Sequence, residues 1–543
     1  MTVASIPLSW VDIPEPVRRL LLHGSVGRDH LVSVARLLPG IAAGAAPGQR
    51  AQLLQLAQDV LLAAYDEAPL DGSLASLLLS SSASGWPGLP LPVADALKAV
   101  ANFWAPPGQE HPWWRATSLQ ERQSLARQGL GAEPRNLFWK LSAWNVAWPQ
   151  ADIEQIDALL SEKFWPRTLL PVRHRFAAQA HLLRGDPHSA LASLNACSLA
   201  SFWNDSGLRA ECLLRMGRAD DARDALRQSL LRSPWRVSQW LRLHDIECGQ
   251  HLACAPAPGP VAILLYTWNK ARELDETLAS LAASDLGEAR MWVLDNGSTD
   301  QTPQILAAWR ERLGARLTVL RLPVNIGAPA ARNWLLSLPE VRRNPYLVFL
   351  DDDVTLPADW LPRLGAGLAA VPQASVWGCR VVDEANPSVL QSVDLTPVPV
   401  EPGAPPLALP GLHLGQPDFG QFSYLRPCVS VTGCCHLLRE ADIDTTGGFD
   451  IRFSPSQYDD LERDLRLGLS GGFAAYQGHL ALRHKRRSGA AAERSAAELG
   501  NATANTHKLL TKHSVEDLRR VRELGEALLE RDLADKMERL AGA

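Results

Sequence analysis

Beyond residue 260 the chain repeats one pattern: a short apolar run that ends in a polar cluster, followed by an amphipathic stretch. VAILLY (Val261 to Tyr266) leads into Thr267-Trp268-Asn269, and MWVL (Met291 to Leu294) into Asp295-Asn296-Gly297-Ser298. LTVL (Leu317 to Leu320) follows, and YLVFL (Tyr346 to Leu350) leads into Asp351-Asp352-Asp353. Unbroken apolar runs this short predict buried strands. Between them Leu274, Leu278 and Leu281, then Ile305, Trp309 and Leu313, recur at helical spacing, and a further helix is expected from about Pro329. Strands alternating with helices imply an α/β domain with a mainly parallel sheet. Ligands in open sheets of this kind bind outside the carboxyl ends of the strands, so the polar clusters should meet in one cleft.

Ahead of this region the character is different. Leu, Ala, Arg and Trp recur with helical spacing, and CAPAPGP (Cys254 to Pro260) reads as a linker because Pro and Gly break regular structure. Residues 1–253 are expected to be all-α, and residues 1–170 show no recognisable chemistry. HLLRGDPHSALASL (His181 to Leu194) matches CLLRMGRADDARDAL (Cys212 to Leu226) when offset by 32, so that Gly185 falls on Gly217 and Ala190 on Ala222. This stretch, around 171–247, resembles tetratricopeptide repeats, in which small residues let paired helices approach. The stretch 385–427 is rich in proline and lacks periodicity, so a long loop, functional or disordered, is expected there. The tail, 491–543, returns to helix, with Leu518, Val521, Leu524, Leu528 and Leu529 as the stripe expected to pack against the domain.

The 543 residues exceed what one core usually serves, and 46% hydrophobic with 21% charged residues is a globular composition. A formal charge of −5 gives no support to nucleic-acid binding. No apolar stretch has the length of a membrane span, and MTVASIPLSWVDIPEP lacks the pattern of a signal peptide. The eight cysteines have no metal-like spacing. The expected location is the cytoplasm, in solution or peripheral to the membrane.

Three carboxylates directly after an apolar strand repel each other unless a cation compensates, and hard oxygen donors favour Mg²⁺ or Mn²⁺. Further motifs follow in order: LDNGSTD, NIGAPAARN, FLDDD, TGCCHLLREADIDTTGGFD, YDDLERDLRL and a late His in LALRHKRRSG. Together with the TWNK turn, and over about residues 260–490, this series resembles the family-2 glycosyltransferases of the GT-A fold, a Rossmann-like nucleotide-diphospho-sugar transferase architecture.

The resemblance implies an inverting, metal-dependent transfer of a sugar from a nucleotide-diphosphate donor, more often a UDP-sugar, to a protein, glycan or lipid-linked acceptor. It implies that Asp295 binds the base, that Tyr266 and Trp268 flank it beside Thr267, and that Arg332 contacts the nucleotide. Asp351 would approach the ribose; Asp353 and His484 would hold Mn²⁺ or Mg²⁺. Asp460 would be the general base, with Asp459 as second candidate because Asp459 stands where the family usually has Glu. A helical domain beside such an enzyme suits an acceptor or a protein partner. The rival expectation is a tetratricopeptide-type interaction scaffold whose transferase domain binds nucleotide without catalysis. No GxxxxGK[ST] occurs and no GxGxxG follows the first strand, which argues against a P-loop NTPase or a dinucleotide site.

Overall fold

The computed structural model describes residues 7–161, 165–197, 205–400, 403–409, 411–413, 415–485 and 496–542. Met1 to Ile6, Arg486 and Arg487 of the basic run, and the expected boundary at 490/491 lie outside the described residues. Two compact units are present, one of residues 1–243 with 417–421 and one of residues 244–416 with 422–543. The division falls within the helix Val237–Glu247, ahead of the Pro/Gly segment. Inside the second unit the Asp245 carboxylate accepts the Leu425 N–H at 2.6 Å and contacts His479 Nε2 at 2.8 Å, which ties the helix end there.

The secondary-structure elements of the first unit are all helices among the described residues. The sequence offset of 32 has a backbone counterpart. Helices Leu170–Leu183 and Pro187–Asn195 are joined at Gly185, and helices Ser206–Arg215 and Ala219–Arg232 at Gly217, with φ of 74° and 73°. In each turn the residue after the glycine donates its N–H five residues back, Asp186 to His181 and Arg218 to Leu213. This is the left-handed helix stop that glycine favours, used twice. Ala190 and Ala222 are fully buried, as are Ala178 and Ala210 in the preceding helices. Phe419, from the proline-rich stretch, meets the Trp148 ring at 5.6 Å within this unit.

The second unit is built on a mixed sheet of ten strands: β1 (Val261–Thr267), β2 (Arg290–Asp295), β3 (Leu317–Arg321), β4 (Tyr346–Leu350), β5 (Val354–Thr355), β6 (Val376–Asp383), β7 (Leu390–Ser392), β8 (Leu425–Cys428), β9 (Cys435–Arg439) and β10 (Ala474–His484). The order is β3-β2-β1-β4-β9-β6-β10-β5, with β7 on β6 and β8 on β10. The strands β3, β2, β1 and β4 run parallel, with Thr267 beside Asp295 and Leu265 beside Leu350. That register sets three of the polar clusters on one edge, as the strand-and-cluster pattern requires. Beyond β4 the sheet turns antiparallel at β9, where Cys435 faces Leu350. The long β10 pairs with β5 so that His484 faces Val354, next to Asp353.

Helices cover this sheet through the faces that periodicity marks, with two exceptions. Leu274, Leu278 and Leu281 of helix Ala271–Ala282 are fully buried in the main core with Ile263, Leu265 and Met291. In helix Thr302–Leu313, Leu306 and Trp309 are buried while Ile305 and Leu313 are only partly so, a rotation of the buried face by one residue. In the last helix, Val515–Gly542, Leu518, Val521 and Leu529 are buried but Leu524 is exposed. Gly525 takes the inward place, since a Cβ there would stand 2.6 Å from Val429 Cγ2. Leu518 and Val521 pack in one cluster with Val429, Phe453, Leu461 and Leu465. No helix among the described residues is long and apolar enough to cross a membrane.

Leu278→Ala should therefore cost about 2–5 kcal/mol, the price of a core cavity. Urea unfolding followed by tryptophan fluorescence would measure it, and a loss below about 1 kcal/mol would contradict the packing described.

Candidate functional site

Three loops at the carboxyl edge hold one another in place. Asn296 donates its N–H to the Thr267 carbonyl, and the Asn269 N–H reaches Ser298 Oγ at 3.0 Å. Asn296 also ties the second loop to the third: its Nδ2 donates to Asn325 Oδ1 at 2.9 Å and its Oδ1 accepts from the Ile326 N–H. Gly297 makes the close approach possible. At φ 78° it lies in the left-handed region, and a Cβ would fall 2.5 Å from the Val324 carbonyl carbon. The third loop ends at Gly327, which starts the helix Ala328–Leu336 and sets Arg332 one turn inside it.

Arg332 is the buried cation of the site. Its Nη1 lies 2.7 Å from Asp459 Oδ2 and its Nη2 3.9 Å from Asp351 Oδ1, with the guanidinium 5.4 Å from the centre of the Tyr266 ring. Despite the cost of burial, Asp459 and its neighbours keep Arg332 firmly charged. Burial pushes the Asp459 carboxyl up, against the pull of Arg332, and Asp460 pushes it further. Asp460 makes different contacts. Its Oδ2 accepts the Gly433 N–H at 2.6 Å and its Oδ1 the Leu461 N–H at 2.8 Å.

The triple acid is neutralised from two sides. Lys270 Nζ lies 2.8 Å from Asp352 Oδ1 and 2.9 Å from Asp353 Oδ2, while His484 Nε2 stands 3.1 Å from Asp353 Oδ1. Against its burial, His484 and Lys270 hold the Asp353 carboxyl well below the usual carboxylate range. Burial pushes Asp352 up, against the pull of Lys270. His484 is raised by Asp353 and Asp351 in spite of burial.

A cavity of about 470 Å³ joins these groups. Of the residues that the resemblance singled out, Tyr266, Trp268, Arg332, Asp351, Asp353, Asp459, Asp460 and His484 line it. Thr267 and Asp295 do not. Asp295 is fully buried, with Oδ1 accepting the Ser298 N–H at 2.8 Å and Oδ2 3.2 Å from Arg321 Nε, so it closes the second loop. Several lining residues went unmarked: Lys270, Gly433, Cys434, Glu498 and Asn501. Lys270 stands inside the TWNK motif, where a lysine at a turn reads as solvated. Nothing in the sequence signals Glu498 or Asn501, which come from helix Ala496–Lys512 far along the chain. That helix is clasped to the acidic segment: Asn505 Nδ2 donates to the carbonyls of Phe453 at 2.9 Å and Ser456 at 2.8 Å.

The helix Asp459–Leu469 is not an exposed ladder of ion pairs. Glu462 and Asp464 are fully buried, the first paired with Arg466 at 3.0 Å and Lys512 at 2.5 Å, the second with His436 at 3.1 Å. These acids are occupied by structure, which leaves Asp460 as the half-buried one facing the cavity.

A parallel half-sheet whose loops converge with acids on one pocket is the arrangement expected of a GT-A glycosyltransferase domain. Residues 262–444 match the model described as glycosyl transferase family 2. The chain is 27% identical over 207 residues to the O-antigen biosynthesis protein RfbC of Myxococcus xanthus, covering 37% of this chain. It spans only 16% of that relative's length. Among solved structures, GalNAc-T7 with UDP, GalNAc and Mn²⁺ is similar over 48% of this chain and 50% of its own, with 12% identity and a TM-score of 0.36. The mannosyltransferase PcManGT from Pyrobaculum calidifontis, in complex with GDP-Man and Mn²⁺, is similar over 56% of this chain and 87% of its own, with 15% identity and a TM-score of 0.33.

The donor set suits a divalent cation. The cavity lining carries six carboxylates, Asp351, Asp352, Asp353, Asp459, Asp460 and Glu498, against two permanent cations, Lys270 and Arg332. His484 Nδ1 lies 2.9 Å from Gln391 Oε1, an acceptor, so Nδ1 carries the proton and Nε2 is turned toward Asp353. An imidazole fixed by an outer acceptor in this way is the usual arrangement of a metal-ligating histidine. Asp351, Cys434 and His484 also bring donor atoms within 4.8 Å of one another. Burial holds the Cys434 thiol protonated, so the carboxylates rather than the sulfur are the natural partners of His484.

Gly433 tests this geometry. A Cβ there would stand 2.6 Å from Arg332 Nη2 and 2.9 Å from Asp460 Oδ2. Gly433→Ala should cut sugar transfer on the order of a hundredfold, as misplacement of reacting groups by about 1 Å does. Full activity in this variant would show that Asp460 need not stand where it does.

Proposed function

We propose that this protein transfers a sugar, with inversion, from a nucleotide-diphosphate donor to an acceptor hydroxyl in the 470 Å³ cavity. The observation that carries this reading is the meeting of Asp351, Asp353, His484, Arg332 and Asp460 on one pocket although they lie up to 152 positions apart in the chain. Tyr266 and Trp268 offer ring faces beside the cavity, suited to a nucleotide base or a sugar. Asp353 and His484, with Asp351 beside them, are the residues that would hold Mn²⁺ or Mg²⁺. Bound there, the ion would supply Lewis-acid stabilisation of the departing diphosphate.

Asp460 rather than Asp459 is the proposed general base. Asp459 is committed to Arg332, so its proton affinity serves the ion pair, whereas Asp460 is oriented by two backbone N–H groups and lines the cavity. As the acceptor oxygen attacks the anomeric carbon, Asp460 takes its proton, and the bond to the diphosphate breaks on the opposite face. Arg332, charged at every working pH, keeps Asp459 and Asp351 from repelling that base. Glu498 and Asn501 line the same cavity and are proposed to face the acceptor.

The donor to test first is a UDP-sugar; the acceptor is a protein, glycan or lipid-linked molecule. The paired helices of the first unit, tetratricopeptide-like in their spacing, are proposed to hold that acceptor or a partner protein.

Asp460→Asn should lower transfer by roughly 10²–10⁴-fold while leaving nucleotide affinity nearly unchanged. Unchanged turnover would remove Asp460 from the mechanism. Asp353→Ala should do the reverse for binding: calorimetry with UDP in Mn²⁺ should show affinity reduced by roughly ten- to a hundredfold. Equal affinities would reject its metal role. A thermal-shift screen of nucleotide sugars, with and without Mn²⁺, would rank the donors, since a ligand bound only by the native state raises its midpoint.

A further inference from the structure

The position of Lys270 bears on how the cavity captures its cation. Asn269, at φ 53°, turns the chain after β1 so that Lys270 caps the helix Ala271–Ala282 and its stem reaches back over the acids. Both oxygens of Asp353 are engaged. Oδ2 lies 2.9 Å from the Lys270 ammonium and Oδ1 3.1 Å from His484 Nε2. Asp352 shares the same ammonium at 2.8 Å. The Lys270 side chain is 36% exposed and lines the cavity, so its flexible stem can leave the acids without unpacking the core.

A divalent ion cannot share Asp353 Oδ2 with an ammonium at contact distance, because the two positive charges would stand a few ångströms apart with little water between them. One must leave. The nearest favourable destination for a displaced ammonium is a newly arrived anion in the same pocket. Resting on the nucleotide-sugar reading of this cavity, we propose that Lys270 competes with the divalent ion for Asp353, and releases it to bind the incoming nucleoside diphosphate. Metal capture is thereby made conditional on nucleotide. Without nucleotide, Lys270 screens the triple acid and keeps metal affinity low; with it, the ammonium moves to phosphate oxygens and the ion gains Asp353.

The test is Mn²⁺ calorimetry on the full chain, wild type against Lys270→Met and Lys270→Arg, with and without UDP. Without UDP, Lys270→Met should bind Mn²⁺ roughly tenfold tighter than wild type, an effect on the scale of outer partners on metal sites. With Mn²⁺ present, the same variant should bind UDP roughly tenfold more weakly, and Lys270→Arg should stay close to wild type in both. Wild type that binds Mn²⁺ and UDP, beside a Lys270→Met variant of equal or lower Mn²⁺ affinity, overturns the competition alone. Wild type that binds neither overturns the nucleotide-sugar reading and this proposal with it. Removing Lys270 also leaves Asp352 and Asp353 facing each other, so Mn²⁺ should raise the thermal midpoint of Lys270→Met more than that of wild type. An equal rise in the two proteins likewise overturns the proposal.

Discussion

Mutual repulsion among carboxylates is the constraint around which the second unit is organised. Asp351, Asp352 and Asp353 leave β4 together, and Asp459 and Asp460 arrive from a helix more than a hundred residues later. Such a concentration of like charge in a half-buried pocket is tolerable only because cations are placed among the acids. Lys270 meets the first group and Arg332 lies between the two. Removing either cation would leave buried charges unpaired, which costs more than the pair itself contributes. Stability and chemistry here have the same source: the groups that let the fold hold these acids are the ones a charged substrate would engage.

The supporting structure is correspondingly indirect. Asn296 and Asn325 secure the loops, Gln391 turns His484, and a backbone N–H at Gly433 orients Asp460. None of these residues needs to react. Each narrows the positions open to a group that does, and precision of that kind separates a binding pocket from a catalytic one.

Much of this was legible in the chain. The four parallel strands stand out because each is an unbroken apolar run, and the acids stand out because each cluster ends such a run. The 32-residue offset likewise marks two helix stops that the backbone repeats at Gly185 and Gly217. What was not legible depends on contacts across long separations. Asp295 has the look of a ligand in sequence, yet it stands outside the cavity lining, with Oδ1 accepting the Ser298 N–H and Oδ2 near Arg321. Leu524 fits the helical stripe, but Gly525 packs inward because Val429 comes so close. Lys270 sits in the TWNK motif without disclosing its partners, since a solvated turn lysine and a half-buried counter-ion look alike until the loop carrying Asp352 and Asp353 is set beside it.

The clasp made by Asn505 bears on where this domain begins and ends as a working object. The stretch that matches the family model stops at residue 444, before Asp459 and Asp460, and the loop leading to those acids is gripped by a side chain more than forty residues later still. A fragment cut to the matched stretch would keep β1 to β4 and lose both Asp460, the proposed general base, and its brace. The matched stretch is thus smaller than the portion that builds the cavity, and grafting or swapping experiments should take their borders from the clasp.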